Sequence, residues 1–471
     1  MNKPQTITHA ETAVLPVRTL PAVGTAVLPW HNSAAGILFA GNLLQRLFRH
    51  FDGVMEVRLW DGSLRRLGGR ANENISAPFT LVFAHPGVLR LLLLGRDPLR
   101  LARAYFSGDL EVEGDFFAAL RLRDQLESVR LPLREQLAAL PRLLMLPAID
   151  KDGAMSAWND AVPQAPSVKA HSRGENTRAI EFHYDVSNTF YALWLDRSMV
   201  YSCAYFEQAD STLEAAQEAK LDHICRKLQL QPGDTLLDVG CGWGALAIHA
   251  ARHYGVVAHG ITLSAQQHAL AGQRIAEAGL QTVVTVALCD YRDLPSTAQY
   301  NKVASVGMFE HVGLENLPLY FSCIARVLKP GGLFLNHGIT HDVEGWGTTL
   351  CTRFINRYVF PDGQLDTISN IQRHMEHSGF EIGDVEALRS HYALTLRHWV
   401  ARLERHHTEA LHHVSEAVFR IWRLYMAASA LNFESGELGL YQVLATKRDN
   451  GTSRLPLTRR YLYPPQPAGV Q

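Results

Sequence analysis

From about residue 235 to residue 340 the apolar positions fall into short runs separated by longer amphipathic stretches. The runs predict strands and the stretches predict helices. Leu236, Leu237 and Val239 form the first run, and residues 245–254 continue from it as a helix. Residues 256–261, 283–288 and 302–308 predict three more strands, residues 315–328 a helix, and Lys329-Pro330-Gly331-Gly332 a stop before a fifth strand at 333–336. This alternation is the rhythm of a parallel α/β sheet. A helical segment opens the domain, an inserted helical block covers 346–433, and the chain returns to the sheet at 380–388 and 441–446.

The earlier part of the chain has a different pattern. Residues 54–60 alternate as a strand, Asp61-Gly62 supplies a turn, residues 79–83 give another strand, and helices dominate the second half, which predicts a smaller N-terminal α+β domain. Two apolar stretches there, 88–106 and 120–144, carry Arg90, Arg96, Arg100, Arg103 and further arginines. They suit core helices with a solvated face, and equally helices that lie on a membrane surface. The resulting division is a flexible arm at 1–30, the N-terminal domain at 31–150, a linker at 151–176, the main domain at 177–450 and a tail at 451–471.

Composition narrows the function classes. With 471 residues, 47% of them apolar, the chain can bury two cores. A formal net charge of −1 gives no global attraction to nucleic acid. No apolar run reaches the length of about 18 residues that a membrane span needs, and the N-terminus lacks the pattern of a secretory signal. A cytoplasmic protein is therefore expected. The six cysteines lie far apart with no C-x-x-C pair, which argues against a zinc site and a disulfide framework, and no metal is expected.

Candidate chemistry centres on L-L-D-V-G-C-G-W-G at 236–244. Asp238 falls at the carboxyl end of a strand, where open α/β sheets bind ligands, and Gly240, Gly242 and Gly244 permit a tight turn into the helix. The spacing is G-x-G-x-G, and the next strand runs into Thr262-Leu263-Ser264 with no carboxylate at its end. Both features depart from a dinucleotide-binding turn. The third strand ends at Asp290-Tyr291, an acid suited to an adenine amino group beside an aromatic ring suited to its face. The whole pattern resembles the Rossmann-like sheet of S-adenosylmethionine-dependent methyltransferases, here with helical insertions.

More specific motifs occur in this order: H-Y-D-V-S-N at 183–188, Y-S-C-A-Y-F at 201–206, G-I-T-L-S at 260–264, F-E-H-V-G at 309–313, H-G-I at 337–339, Y-V-F-P-D-G at 358–363, H-Y-A-L-T-L-R-H-W at 391–399, and Asn432-Phe433. With these the main domain resembles the cyclopropane fatty acid synthases and the related mycolic acid cyclopropane synthases. The N-terminal domain resembles theirs only in length, position and general character. The resemblance implies methyl transfer from S-adenosylmethionine to a cis double bond of an unsaturated phospholipid acyl chain, a carbocation, and ring closure after loss of a proton to a bound bicarbonate. It assigns the bicarbonate ligands to Cys203, Glu310, His337, Ile339 and Tyr392, with Cys203 and Ile339 acting largely through backbone groups. It assigns the cofactor to Tyr201, Ser202, Asp238, Gly240, Gly242, Trp243, Gly244, Thr262, Leu263, Ser264, Gln267, Asp290 and Tyr291, with Thr262 and Gln267 on the ribose and with His183 and Tyr184 closing over the methionine end. A homodimer is implied that meets the inner face of the membrane peripherally through its first domain.

The chemistry fits such residues. An alkene is a weak nucleophile, so the transfer needs an aligned, dry pocket with electron-rich walls. His337 and Tyr392 can donate hydrogen bonds to an anion, and Glu310 can accept a proton. Several relatives carry a cysteine before the final strands, where this chain reads Ala427-Ala428-Ser429-Ala430, so no thiol acts there and Ser429 is expected to line the pocket or pack. Two alternatives are a sister enzyme that makes methyl-branched or methylene lipids from the same cation, and a catalytically silent lipid-binding protein. The second has no use for an intact cofactor turn.

Overall fold

The computed structural model describes residues 29–71, 73–94, 99–125, 131–149, 187–347, 349–360, 363–451 and 455–463. The expected arm, apart from residues 29 and 30, and the expected linker lie outside them, as do His183 and Tyr184. The chain divides into two units, Met1–Met155 and Ser156–Gln471.

In the first unit, α1 (Ala34–Leu47) starts where the Ser33 side chain accepts a hydrogen bond from the Gly36 amide. Four strands, β1 (Met55–Arg58), β2 (Leu64–Leu67), β3 (Phe79–Phe83) and β4 (Leu110–Gly114), pair in the order β2-β1-β3-β4. Helices α2 (Gly87–Leu94), α3 (Leu99–Ser107) and α4 (Phe116–Leu120) are followed by α5 (Leu133–Leu144). Leu44, Met55, Val57 and Leu89 are fully enclosed in this core. α2 answers to a core helix at Val88 and Leu89. On α5, by contrast, Leu133, Leu137 and Leu144 are 73%, 61% and 54% exposed.

The second unit opens with α6 (Asn188–Ala192) and α7 (Leu213–Lys227). Its sheet has seven strands in the order β10-β11-β9-β8-β5-β6-β7. β5 (Thr235–Val239), β6 (Val257–Thr262), β7 (Val284–Leu288), β8 (Tyr300–Val306) and β9 (Leu328–His341) run parallel. β10 (Phe380–Ala387) and β11 (Leu438–Lys447) complete the sheet by antiparallel pairing of β11 with β9 and of β10 with β11. Intervening helices are α8 (Ala245–Tyr254), α9 (Ala265–Glu277), α10 (Leu317–Val327), α11 (Leu350–Tyr358), α12 (Ile368–His377), α13 (Arg389–Arg405), α14 (His407–Ala410) and α15 (Glu416–Ser435). The α/β sheet expected from the alternation is thus present. Leu236, Leu237 and Val239 are wholly buried, as befits a central parallel strand covered on both faces. From β5 the chain winds outward through β6 and β7, then crosses back to β8, so the order reverses between β5 and β8. Crevices form at such reversals.

Two local expectations need correction. Lys329 to Gly332 does not stop the chain before a strand; it lies within β9. Tyr300 pairs with Leu328 and Lys302 already pairs with Leu333, so the Pro-Gly-Gly residues form a bulge. The expected tail also contains structure, because residues Arg459–Leu462 form a 3-10 turn and the Leu462 carbonyl accepts from Arg226 at 2.6 Å. Arg459 also pairs with buried Asp384. Among the described residues no helix is long and apolar enough to cross a membrane.

Candidate active site

At the reversal between β5 and β8, a cleft is lined by Asp238 near the end of β5, Gly240, Gly242 and Trp243 from the turn that follows, Thr262 at the end of β6 with Leu263 and Gln267 after it, and Cys289 and Tyr291 after β7. The turn is built by glycine. Gly240 has φ +79°, and a Cβ there would also touch the Met308 side chain at 3.4 Å. Tyr201 and Ser202 close the cleft from the segment before α7. Trp243 is held by its indole N–H, which donates to Asn188 Oδ1 at 2.8 Å, giving the last residue of the H-Y-D-V-S-N motif a positioning task.

Not every expected cofactor residue faces this cleft. Gly244 instead begins α8 in the left-handed conformation, and the Ser264 hydroxyl caps α9 by accepting from the Gln267 amide. Asp290 lies outside the lining too; its carboxylate binds the Arg292 guanidinium at 2.8 and 2.5 Å. Thr262 Oγ1 donates to Gln267 Oε1 at 2.8 Å, so these two reach the cleft as a linked pair.

Asp238 is 2% exposed, and burial pushes its carboxyl up to about 7. Lys220 of α7 opposes that shift, while its own ammonium is pushed down to about 8 by burial. Lys220 Nζ donates to Ser202 Oγ at 2.8 Å and lines the same cleft. Sequence reading missed this lysine. The signal was its place on the buried stripe of α7 with Leu213, Ala216, Gln217 and Ile224.

A second cavity, of about 340 Å³, shares Tyr201, Ser202, Gly307 and His311 with the cleft. Its walls are largely apolar and aromatic, with Trp346, Ile355, Phe360, Leu396, Tyr425 and Phe433 among them. Tyr201 packs 5.3 Å from Trp399, and Phe360 sits 5.8 Å from Tyr425 and 5.2 Å from His311. Burial pushes His311 down to about 4, so it faces both cavities as a neutral ring at neutral pH.

Polar groups also reach this cavity. Cys203, Glu310, His337, Ile339 and Tyr392 all line it, together with Ser429 and Asn432. Glu310 sits in the short turn after β8 and is 6% exposed; burial pushes its carboxyl up to about 7. Its Oε1 accepts from the Ile339 amide at 2.8 Å. The Ile339 N–H thus ties this backbone segment to Glu310. Burial also holds the His337 imidazole well below its ordinary range. The Cys203 thiol donates to the Ala204 carbonyl at 3.2 Å and burial raises its pKa, which leaves it an inert wall group. Next to His337, Gly338 admits the Phe309 ring, which would lie 2.1 Å from a Cβ at that position.

Among the residues that line this cavity, Glu310, His337 and Asn432 each carry a buried atom, Oε2, Nε2 and Oδ1 respectively, with no hydrogen-bond partner among the described residues. Buried polar atoms left this way are costly, so their occurrence on side chains that line one cavity marks a candidate ligand-binding spot. A small anion that accepts and carries one proton, as bicarbonate does, can accept from His337 and donate to either Glu310 or Asn432.

Comparison with known proteins places these features in a family. Residues 171–443 match the mycolic acid cyclopropane synthetase family. The chain is 42% identical over 412 residues to a Pseudomonas putida protein named "probable fatty acid methyltransferase", covering 87% of this chain and 96% of that one. It is 40% identical over 270 residues to the cyclopropane-fatty-acyl-phospholipid synthase of Escherichia coli, covering 56% of this chain and 66% of the relative. Among solved structures, mycolic acid cyclopropane synthase CmaA1 complexed with SAH and CTAB superposes with a TM-score of 0.54 at 35% identity, covering 57% of this chain and 98% of that one. The chain is an S-adenosylmethionine-dependent methyltransferase and belongs to the mycolic acid cyclopropane synthetase family.

Proposed function

We propose that the protein transfers a methylene unit from S-adenosylmethionine to a cis double bond in an unsaturated phospholipid acyl chain, closing a cyclopropane ring. The observation that carries this reading is that Glu310, His337 and Asn432, each with a partnerless buried atom, line a largely apolar cavity that adjoins the cofactor cleft. When bound, S-adenosylmethionine supplies an electrophilic methyl group and bicarbonate supplies a base.

The chain's own residues do the rest. Gly240, Gly242, Trp243, Tyr201 and Ser202 form the cleft for the cofactor, and Lys220 holds Ser202 in place. Tyr201 and Ser202, shared by both cavities, stand where methyl donor and alkene meet. Aromatic walls exclude the water that would quench a carbocation and offer ring faces to it. Glu310, poised near neutral pH, takes or holds a proton at Oε2, and His337 and Tyr392 orient the anionic base.

The exposed leucines of α5 support peripheral contact of the first unit with a lipid surface at the inner face of the membrane, with Arg134 and Arg142 to meet anionic headgroups. A second reading is favoured by the relative matched over nearly the whole chain, which bears a fatty acid methyltransferase name. In that reading the cation loses a proton from a chain carbon and leaves a methyl-branched alkene, or a hydride first shifts to the cationic carbon and the transferred methyl group then loses its proton to leave an exocyclic methylene. Incubation with S-adenosylmethionine and vesicles of unsaturated phospholipid, followed by NMR of the acyl chains, separates the two. Upfield cyclopropane protons support ring closure, whereas a methyl doublet or exocyclic methylene overturns it. No lipid product at all would sink both.

A further inference from the structure

Across the sheet from His337 lies Gln442, a residue outside the cavity walls. β11 runs antiparallel to β9, and the register sets Gln442 directly opposite His337. Both are buried, at 0% and 1% exposure, so neither can trade the other for bulk water. Gln442 Nε2 lies 3.0 Å from His337 Nδ1. An amide nitrogen donates and does not accept, so Nδ1 is the acceptor in this contact. A neutral imidazole with a bare Nδ1 carries its proton on Nε2. Burial keeps this ring neutral, and its Nε2 is the atom that meets no partner among the described residues.

We propose that Gln442 is a positioning residue that holds His337 as the Nε2–H tautomer, so that the cavity presents a hydrogen-bond donor where Glu310 and Asn432 present acceptors. The alternative tautomer would place a third lone pair there and repel any anion. An amide is needed at residue 442 for this purpose. A glutamate of the same shape would accept from Nδ1–H and draw the proton to the wrong nitrogen. The consequence for turnover rests on the proposed acyl-cavity reading; the tautomer itself does not.

The experiment is nitrogen NMR of the full chain carrying 15N-histidine, with the His337 signals identified by their absence from His337→Asn. In the wild-type protein the expected spectrum has His337 Nδ1 unprotonated and Nε2 protonated. Gln442→Glu moves the proton to Nδ1 and lowers turnover about 100-fold, the scale of one lost donor to a developing charge. Gln442→Leu mixes the tautomers. Both variants keep S-adenosylmethionine binding by calorimetry; Gln442→Glu, which buries a carboxylate where the wild type has a neutral amide, melts lower than the wild type while remaining folded. A wild-type spectrum with Nδ1 protonated overturns the proposal without recourse to any Gln442 variant, and so does an unchanged His337 spectrum in folded Gln442→Glu. A proton that switches nitrogen while turnover stays unchanged upholds the role of Gln442 and instead sinks the assignment of His337 to the reaction.

Discussion

Glu310→Gln should make the protein more stable and less active, by amounts the structure sets. The carboxyl is buried, and its pKa is pushed from the ordinary 4.5 to about 7. A proton is therefore held more tightly in the folded chain than in the unfolded one. Stability is greatest at acid pH, where the group is protonated in both states, and declines as pH rises from about 4.5 to about 7. The gap between those values, at about 1.36 kcal/mol per pH unit, amounts to about 3 kcal/mol lost above neutral pH. Glutamine has the same shape and keeps the oxygen that accepts from the Ile339 amide, but has no charge to bury. Its advantage should be about 1 kcal/mol at pH 5 and about 3 kcal/mol at pH 8. For a unit of this size that is on the order of 4 °C in melting temperature at pH 8. Urea melts followed by tryptophan emission, in bicarbonate-free buffer without cofactor, give the stability; product formation on lipid vesicles gives the activity, which should fall at least about 100-fold. A variant no more stabilised at pH 8 than at pH 5 would refute the argument that Glu310 is a strained, buried acid. Unchanged turnover would remove it from the reaction.

Particular contacts set the other expectations. Gly338→Ala drives a Cβ into the Phe309 ring beside Glu310, and should cost about 1–3 kcal/mol in denaturant melts; no loss would mean that Phe309 moves freely. Lys220→Met leaves Asp238 without its opposing charge and Ser202 without its donor, so calorimetry should show S-adenosylmethionine binding weakened at least about tenfold, and unchanged affinity would exclude Lys220 from the cofactor site. Replacing Leu133, Leu137 and Leu144 together by serine should abolish cosedimentation with anionic vesicles while leaving the melting temperature within about 1 °C; retained cosedimentation would place the lipid contact elsewhere.

Much of the fold was legible in local pattern. Residues 245–254 were read as a helix and form one, Ala245–Tyr254, because glycines with positive φ bound it at both ends and its apolar positions recur with helical period. Strand β5 and the turn after it were legible for the same reason, since a strand, a glycine turn and a helix are set by residues close in sequence. The Pro-Gly-Gly bulge of β9 was misread as a stop because a bulge depends on what the neighbouring strand offers, here Tyr300 and Lys302 of β8. The family motifs nominated residues for the site, and the structure adds contacts that no motif shows: Ser264 caps a helix, and Asp290 binds Arg292.

Sequence by itself determined the α/β alternation, the cofactor turn and the identity of the chemical groups at Glu310, His337 and Tyr392. Only the tertiary structure decided which of those groups meet. The Ile339 amide turns to Glu310, Lys220 reaches Ser202 from α7, and Gln442 faces His337 from a strand 105 residues further along the chain. Such pairings depend on sheet order and on the register of antiparallel strands, which arise from burial of whole faces rather than from any short stretch of residues.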